Sequence, residues 1–242
     1  METTITRRPS FGIDAPLLVT GFAVLGPLLY AFGTWFAHRA GLSSSAVFSL
    51  RATGAAMIGS AALMVASSLF GKRHVARRLI RSLRLRGDER VLDVGCGRGL
   101  LLIEAAHRLP RGRACGIDLW NTSDQSGNAR VATLANARSA GVAERVAIDT
   151  GDMRKLPYAD ANFDAIVSSL AVHNLPSATA REQALGEIAR VLKPGGKVAL
   201  LDFRNTPAYA STLRRCGLVD VDVSLPNLLM FPPVRIVRGR KP

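Results

Sequence analysis

No stretch constrains this chain more than residues 89–99, Glu89-Arg90-Val91-Leu92-Asp93-Val94-Gly95-Cys96-Gly97-Arg98-Gly99. Val91, Leu92 and Val94 make a short apolar run, the pattern of a buried strand. The run breaks at Gly95, Gly97 and Gly99, and a helical pattern starts at once with Leu100, Leu101 and Ile103. In a strand–glycine turn–helix unit a ligand can press on bare backbone, because glycine has no Cβ and tolerates positive φ. The reading is a nucleotide-like cofactor at the turn, with a tight structural turn as the competing one. The spacing is G-x-G-x-G, not the G-x-G-x-x-G of dinucleotide folds.

Upstream the chain changes character. Residues 15–37 and 52–70 carry no charged side chain. As helices they would be about 35 and 28 Å long, enough for a bilayer of about 30 Å. They read as a transmembrane hairpin, with Pro27 kinking the first span and Ala52, Ala56 and Ser60 offering a small-residue face against it. A cleaved signal peptide is the alternative for the first span, but the apolar stretch is long and a second span follows. Then come Lys72, Arg73, Arg77, Arg78, Arg81, Arg84 and Arg86, with Val75, Leu79 and Leu83 on one helical face. Residues 72–88 therefore read as a basic amphipathic helix on anionic headgroups. The linker between the spans has fewer fixed positive charges, so the catalytic part is expected on the cytoplasmic side of the cell membrane. The chain has 242 residues and a formal charge of +14, but no nucleic-acid motif accompanies the arginines, and no nucleic-acid partner is expected. Cys96, Cys115 and Cys216 stand at no metal-ligand spacing and the histidines form no H-E-x-x-H, so no metal site is expected. Cys96 reads as a small residue that fits the turn.

Beyond residue 89 strands and helices alternate, which predicts a mostly parallel sheet covered on both faces. Arg113–Asp118 is the second strand, ending in an acid placed to accept from ribose hydroxyls or to cap a helix. Further strands are expected at 145–150, 165–170, 197–203, 219–224 and 234–238, and helices at 129–140, 177–191 and 209–215.

Five stretches in order resemble the class I methyltransferases that use S-adenosylmethionine: Val91–Gly99, Gly116-Ile117-Asp118, Gly151-Asp152-Met153, Phe163–Ser169 and Arg190–Gly196. The resemblance covers residues 89–242, leaving 1–71 as anchor and 72–88 as the basic helix. It implies an α/β fold: a seven-stranded, mostly parallel, doubly wound sheet with an antiparallel final hairpin, preceded by the two transmembrane helices. It implies S-adenosylmethionine as cofactor. The backbone of Gly95, Cys96, Gly97 and Gly99 would face its methionine part, with Asp93 near the ammonium. Asp118 would take the ribose, Leu119, Asp152 and Met153 the adenine, and Ser169 and Leu170 the methionine end. His173 is then the candidate base, with Asn174 orienting it; a histidine satisfied by a carbonyl is the alternative. Asp124, Gln125 and Tyr209 are further polar contacts to the substrate.

The chain departs from the family in lacking a large insertion after the fifth strand. A lid must come from Trp120–Asn128, His173–Pro176, Leu225–Pro233 or the basic helix. Leu225–Pro233 could line a lipophilic pocket or close the core. The functional expectation is a membrane-anchored methyltransferase acting on a lipid or other lipophilic small molecule. The alternatives are a small thiol or metalloid acceptor, a non-catalytic cofactor-binding membrane module, or a nicotinamide-dependent oxidoreductase.

Overall fold

Alternation of short apolar runs with amphipathic stretches gives this chain one sheet between two helical layers. A computed structural model describes residues 9–36, 39–122 and 125–242. The strands are β1 (Arg90–Val94), β2 (Arg113–Asp118), β3 (Val146–Thr150), β4 (Phe163–Ser169), β5 (Leu192–Asp202), β6 (Val219–Val223) and β7 (Arg235–Arg240). They form one seven-stranded sheet in the order β3-β2-β1-β4-β5-β7-β6. β1 to β5 are parallel, and β7 runs antiparallel between β5 and β6. The order reverses between β1 and β4, and in open α/β sheets ligands bind beyond the carboxyl ends of the strands at such a point.

Strand alternation divides the core. Val91, Val167 and Leu201 face Leu102, Ala105 and Ala106 of a first helix, Leu100–Ala106. Leu92, Ile166 and Leu200 face Leu185 and Ile188 of Ala178–Val191 and Leu213 of Thr206–Arg215. Ser177 caps the helix it was expected to cap, its Oγ accepting from the Ala180 N–H at 3.0 Å. β5 starts at Leu192, five residues earlier than expected. The stretch that reads as a turn is pinned from outside: the Gly195 N–H donates to the Lys241 carbonyl, and the Lys241 N–H to that of Gly196.

The N-terminal part is a helical hairpin. α1 (Pro16–Trp35) and α2 (Ser44–Ala66) have 20 and 23 residues and pack along each other. Both are long and apolar enough to cross a membrane. α2 begins at Ser44, not 52, because Ser43 caps it, Oγ accepting from the Ala46 N–H. Arg51 thus lies inside the helix, its guanidinium over the Tyr30 ring. The expected small-residue face is not the contact: Ala52 and Ala56 point outward. The helices instead bury Val19, Gly26 and Gly33 against Val47, Gly54 and Ala61, both sets spaced by seven. A Cβ on Gly54 would lie 2.7 Å from the Gly26 carbonyl oxygen, so the pair permits the closest approach of the two backbones.

α2 runs on through a π turn, Ser67–Gly71, into α3 (Lys72–Ser82). This corrects the reading of residues 72–88 as a helix resting on lipid. Val75, Leu79 and Ile80 are fully buried in the core beside the Leu100–Ala106 helix (α4 below). Burying three such side chains stabilises by about 1.5–3 kcal/mol each, more than the ~1 kcal/mol an arginine gains at an anionic surface. The apolar face therefore goes to the protein, while Arg77, Arg78, Arg81, Arg84 and Arg86 stay exposed. Lys72 is buried as well. α3 belongs to the α/β domain and cannot serve as its lid.

Candidate active site

The glycine turn joins β1 to α4 at the carboxyl edge of the sheet. Every N–H in it has a partner. Gly95 and Cys96 donate to the Ile117 carbonyl, and Gly99 to that of Cys96. Gly97 donates to Asp118 Oδ2 at 2.8 Å, and Arg98 to Gln125 Oε1 at 3.0 Å. What the turn offers a ligand is thinness, not the bare donors expected from the sequence. Gly97 has φ +50°, and a Cβ there would stand 2.6 Å from Gln125 Oε1.

Asp93 is 2% exposed, and its Oδ2 accepts from the Leu102 N–H at 2.9 Å. Burial, with the charge of Asp118 nearby, pushes its carboxyl up to about 8. Its hydrogen bond is to the first turn of α4, where an acceptor satisfies a donor with no intrahelical partner. Cys96 is buried, its thiol beside Gly116 and held well above the usual thiol range by burial, which fits a packing role.

Asp118 ends β2. Its Oδ1 accepts from the Trp120 N–H at 2.7 Å and from Asn128 Nδ2 at 3.2 Å. Asn128 is buried, and its Oδ1 has no partner among the described residues. Leu119 is 58% exposed. Met153 reaches Gly95 from the end of β3, its Cε 3.4 Å from where a Cβ would be. Asp152 is held by Arg154, Nε to Oδ2 at 2.9 Å, which keeps its carboxyl below the usual range. Ser169 and Leu170 end β4, Leu170 with φ +54°. The expected cofactor residues thus gather at the ends of β1 to β4. They fit S-adenosylmethionine: an acid, Asp118, for hydroxyls, a buried amide oxygen unpartnered among the described residues, on Asn128, for a donor, and an exposed apolar side chain, Leu119, for a flat ring.

His173 follows β4. Its Nδ1 is 2.9 Å from Asp202 Oδ1, an ion-pair separation not aligned as a directed hydrogen bond. The His173 backbone N–H donates to Asp202 Oδ2 at 3.3 Å, and the Tyr209 hydroxyl donates to the same oxygen at 3.2 Å. Phe203 meets the imidazole edge-on at 4.6 Å. Asp202 is 1% exposed at the end of β5. It, and not Asn174, is the group beside the imidazole: Asn174 is exposed, with no side-chain hydrogen bond among the described residues. Tyr209 is buried under Asp202 and is no substrate contact; burial pushes its hydroxyl above the usual range. Asp202 was legible in principle, as an acid at the carboxyl end of a central strand.

A further layer has no sequence signature. Residues 9–14 lie as a strap between the glycine turn and the start of α3. Arg98 Nε and Asn136 Nδ2 donate to the Ser10 carbonyl, and Gln125 Nε2 to that of Phe11. Lys72 Nζ donates to Phe11 O, Gly12 O and Asp14 Oδ1 at 2.9, 2.7 and 3.1 Å. Gln125 thus contacts the glycine turn and the strap. Asp124, the other expected contact in that loop, lies outside the described residues, as do Arg7, Arg8 and His38.

Residues 92–200 match the family described as "Methyltransferase domain". Over 136 residues the chain is 35% identical to 27-O-demethylrifamycin SV methyltransferase of Amycolatopsis mediterranei, covering 55% of this chain and 45% of that protein. It is 32% identical over 129 residues to demethylmenaquinone methyltransferase of Lactobacillus johnsonii, covering 52% and 48%. The chain thus spans about half the length of the curated relatives it matches. Among solved structures it is similar to the [4+2]-cyclase SpnF (TM-score 0.58, 20% identity, 70% of this chain and 81% of that one). It is also similar to a SAM-dependent methyltransferase from Aquifex aeolicus (TM-score 0.55, 19% identity, 68% and 88%). The seven-stranded order is that of the class I methyltransferase fold, and residues 92–200, which include the glycine turn facing Asp118, match a methyltransferase domain; together these support an S-adenosylmethionine-dependent methyltransferase.

Proposed function

We propose that the chain is a membrane-anchored methyltransferase whose acceptor is lipophilic and of the quinol kind. The anchoring rests on one observation: α1 and α2 present large apolar side chains outward, among them Leu17, Leu25, Leu28, Trp35 and Phe48. The acceptor class rests on the same hairpin and on a relative named for a demethylated menaquinone. The printed activities of the relatives differ, and one neighbour in fold is a cyclase, so fold alone carries no substrate.

Gly95, Gly97, Gly99, Asp118, Leu119, Asn128, Asp152 and Met153 would hold S-adenosylmethionine, with Ser169 and Leu170 at its methionine end. Bound there, it supplies a methyl group already activated for transfer. The chain's own task is to fix the acceptor and manage its proton. A hydroxyl acceptor starts protonated, so a base contributes about 10²–10⁴ in rate. His173 takes that role, with Asp202 holding the imidazole and carrying the compensating charge, and Tyr209 and the His173 N–H fixing Asp202 in turn.

Full-length protein in lipid nanodiscs, given methyl-labelled cofactor, a demethylated quinol and a small thiol, tests this. Label in the organic phase, with His173→Ala lowering kcat about 10²–10⁴-fold and leaving cofactor affinity intact, is the expected result. Label only in a water-soluble product would favour the thiol or metalloid acceptor. Cofactor binding with no transfer to either would favour the non-catalytic module.

A further inference from the structure

Residues 224–234, which connect β6 to β7, carry no charged side chain and divide into two halves. Met230 and Val234 are buried in the core. Leu225, Leu228 and Leu229 are 85%, 80% and 53% exposed. Leaving such a cluster in water forgoes about 1.5–3 kcal/mol per side chain, and clustered exposed apolar residues mark an interaction surface.

Two observations locate this one. The register pairs Asp202 with Arg235, so the loop sits at the end of the sheet that carries Asp202, His173 and the glycine turn. The loop also leans on the π turn at the end of α2. The Phe231 N–H donates to Ser67 Oγ at 3.0 Å. A Cβ on Gly71 would collide with the Leu229 carbonyl, so the bare helix surface at Gly71 is what admits the loop. The same turn holds the start of α1, since the Asp14 N–H donates to Ser68 Oγ at 3.1 Å. Both hairpin helices therefore leave the domain from one place, beside the leucines. Leu69 and Phe70, 49% and 73% exposed, carry the apolar surface from α2 toward the loop. Arg204 and Arg235, both exposed, stand at the same edge, where basic side chains suit anionic headgroups.

We propose that Leu225, Leu228 and Leu229 insert into the leaflet from which the hairpin emerges, as a third membrane contact. This seats the carboxyl edge of the sheet on the bilayer, and an acceptor dissolved in the leaflet reaches His173 without crossing bulk water. The inference rests on the reading of α1 and α2 as membrane spans.

The test uses full-length protein with Cys216, the exposed free cysteine, replaced by serine. A polarity-sensitive fluorophore is attached through Leu228→Cys or, separately, Leu25→Cys, in vesicles of phosphatidylcholine and phosphatidylglycerol containing nitroxide-labelled lipid. Loss of fluorescence to shallow nitroxides at 228 and to deep nitroxides at 25 is expected. Quenching at 25 with a water-like, unquenched label at 228 overturns the insertion and leaves the anchor standing. No quenching at 25 overturns the anchor and the insertion together. A label at 228 shielded by a second copy, seen as cross-linking between 228 positions without lipid quenching, also overturns it. A second arm measures turnover with the quinol in vesicles. Leu225→Asp with Leu228→Asp should raise its KM about tenfold or more, as expected from the apolar area withdrawn from lipid, with cofactor affinity unchanged. An unchanged KM would overturn delivery through the leaflet.

Discussion

At the scale of single residues, the site turns on groups whose protonation or shape is set by burial. Asp93 holds its proton to about pH 8 in the folded chain, whereas an unfolded aspartate releases it near ~4. Its pKa is raised on folding, so its contribution to stability is fully present below pH ~4 and is lost as pH rises toward about 8. Asp93→Asn keeps an acceptor for the Leu102 N–H and never ionises. It should resist urea better than wild type at pH 8 and match it near pH 4. Calorimetry with S-adenosylmethionine on the same variant separates a structural Asp93 from one that holds the ammonium, because only the latter loses affinity. Gly97 is constrained by shape: positive φ costs a side chain about 1–3 kcal/mol, and a Cβ would press on Gln125. Gly97→Val should weaken cofactor binding at least tenfold by titration, in line with that strain; unchanged affinity would refute the site. Asp202→Asn should lower kcat far more than it changes KM or cofactor affinity. Tyr209→Phe, which removes one of several donors to Asp202, should keep most of the rate.

At the scale of elements, α3 shows how a helix with two good faces chooses. Its arginines and its apolar stripe both suit a lipid surface, and the stripe goes to the core because the sheet offers it a dry, close-packed partner. Leu79→Ala should therefore cost about 2–5 kcal/mol in urea unfolding of the α/β domain, an effect absent if the helix lay on lipid. The hairpin shows the same competition on a smaller scale. Ala52, Ala56 and Ser60 look like a contact face because small residues recur four apart, yet the seven-residue spacing of Val47, Gly54 and Ala61 meets Val19, Gly26 and Gly33. Within the α/β domain most strand ends and helix caps were legible to within a few residues, since local patterns decide them; the start of α2, capped by Ser43 well before the expected residue 52, was not. Where a distant segment intervened, as Lys241 does on β5, they were not.

At the scale of the whole molecule, the domain boundary lies before α3. A chain of residues 72–242 should fold and show a cooperative urea transition. Residues 89–242 lack Val75, Leu79 and Ile80, and should bind an apolar dye and aggregate. Equal behaviour of the two would put the boundary back at 89. The strap adds a coupling between parts far apart in sequence. Ser10, Phe11 and Asp14 touch the side chains that frame the glycine turn, while Asp14 and Ser68 fasten the hairpin beside it. The helical hairpin and the glycine turn are therefore tied together through the strap's hydrogen bonds.

The amino-acid sequence by itself determined the sheet, the cofactor class, the glycine turn with Asp118 opposite it, and the two long apolar helices. The sheet and the helices follow from periodicity, whose physics acts within a few residues, and the cofactor class from short motifs that resemble those of a known family. Only the tertiary structure decided which face of α3 is buried, that Asp202 and not Asn174 stands beside His173, that the N–H groups of the glycine turn are already paired, and that Leu225, Leu228 and Leu229 lie at the edge of the sheet where β5 ends. Each of these depends on which distant segment arrives as partner, and a side chain's spacing along the chain carries no record of that.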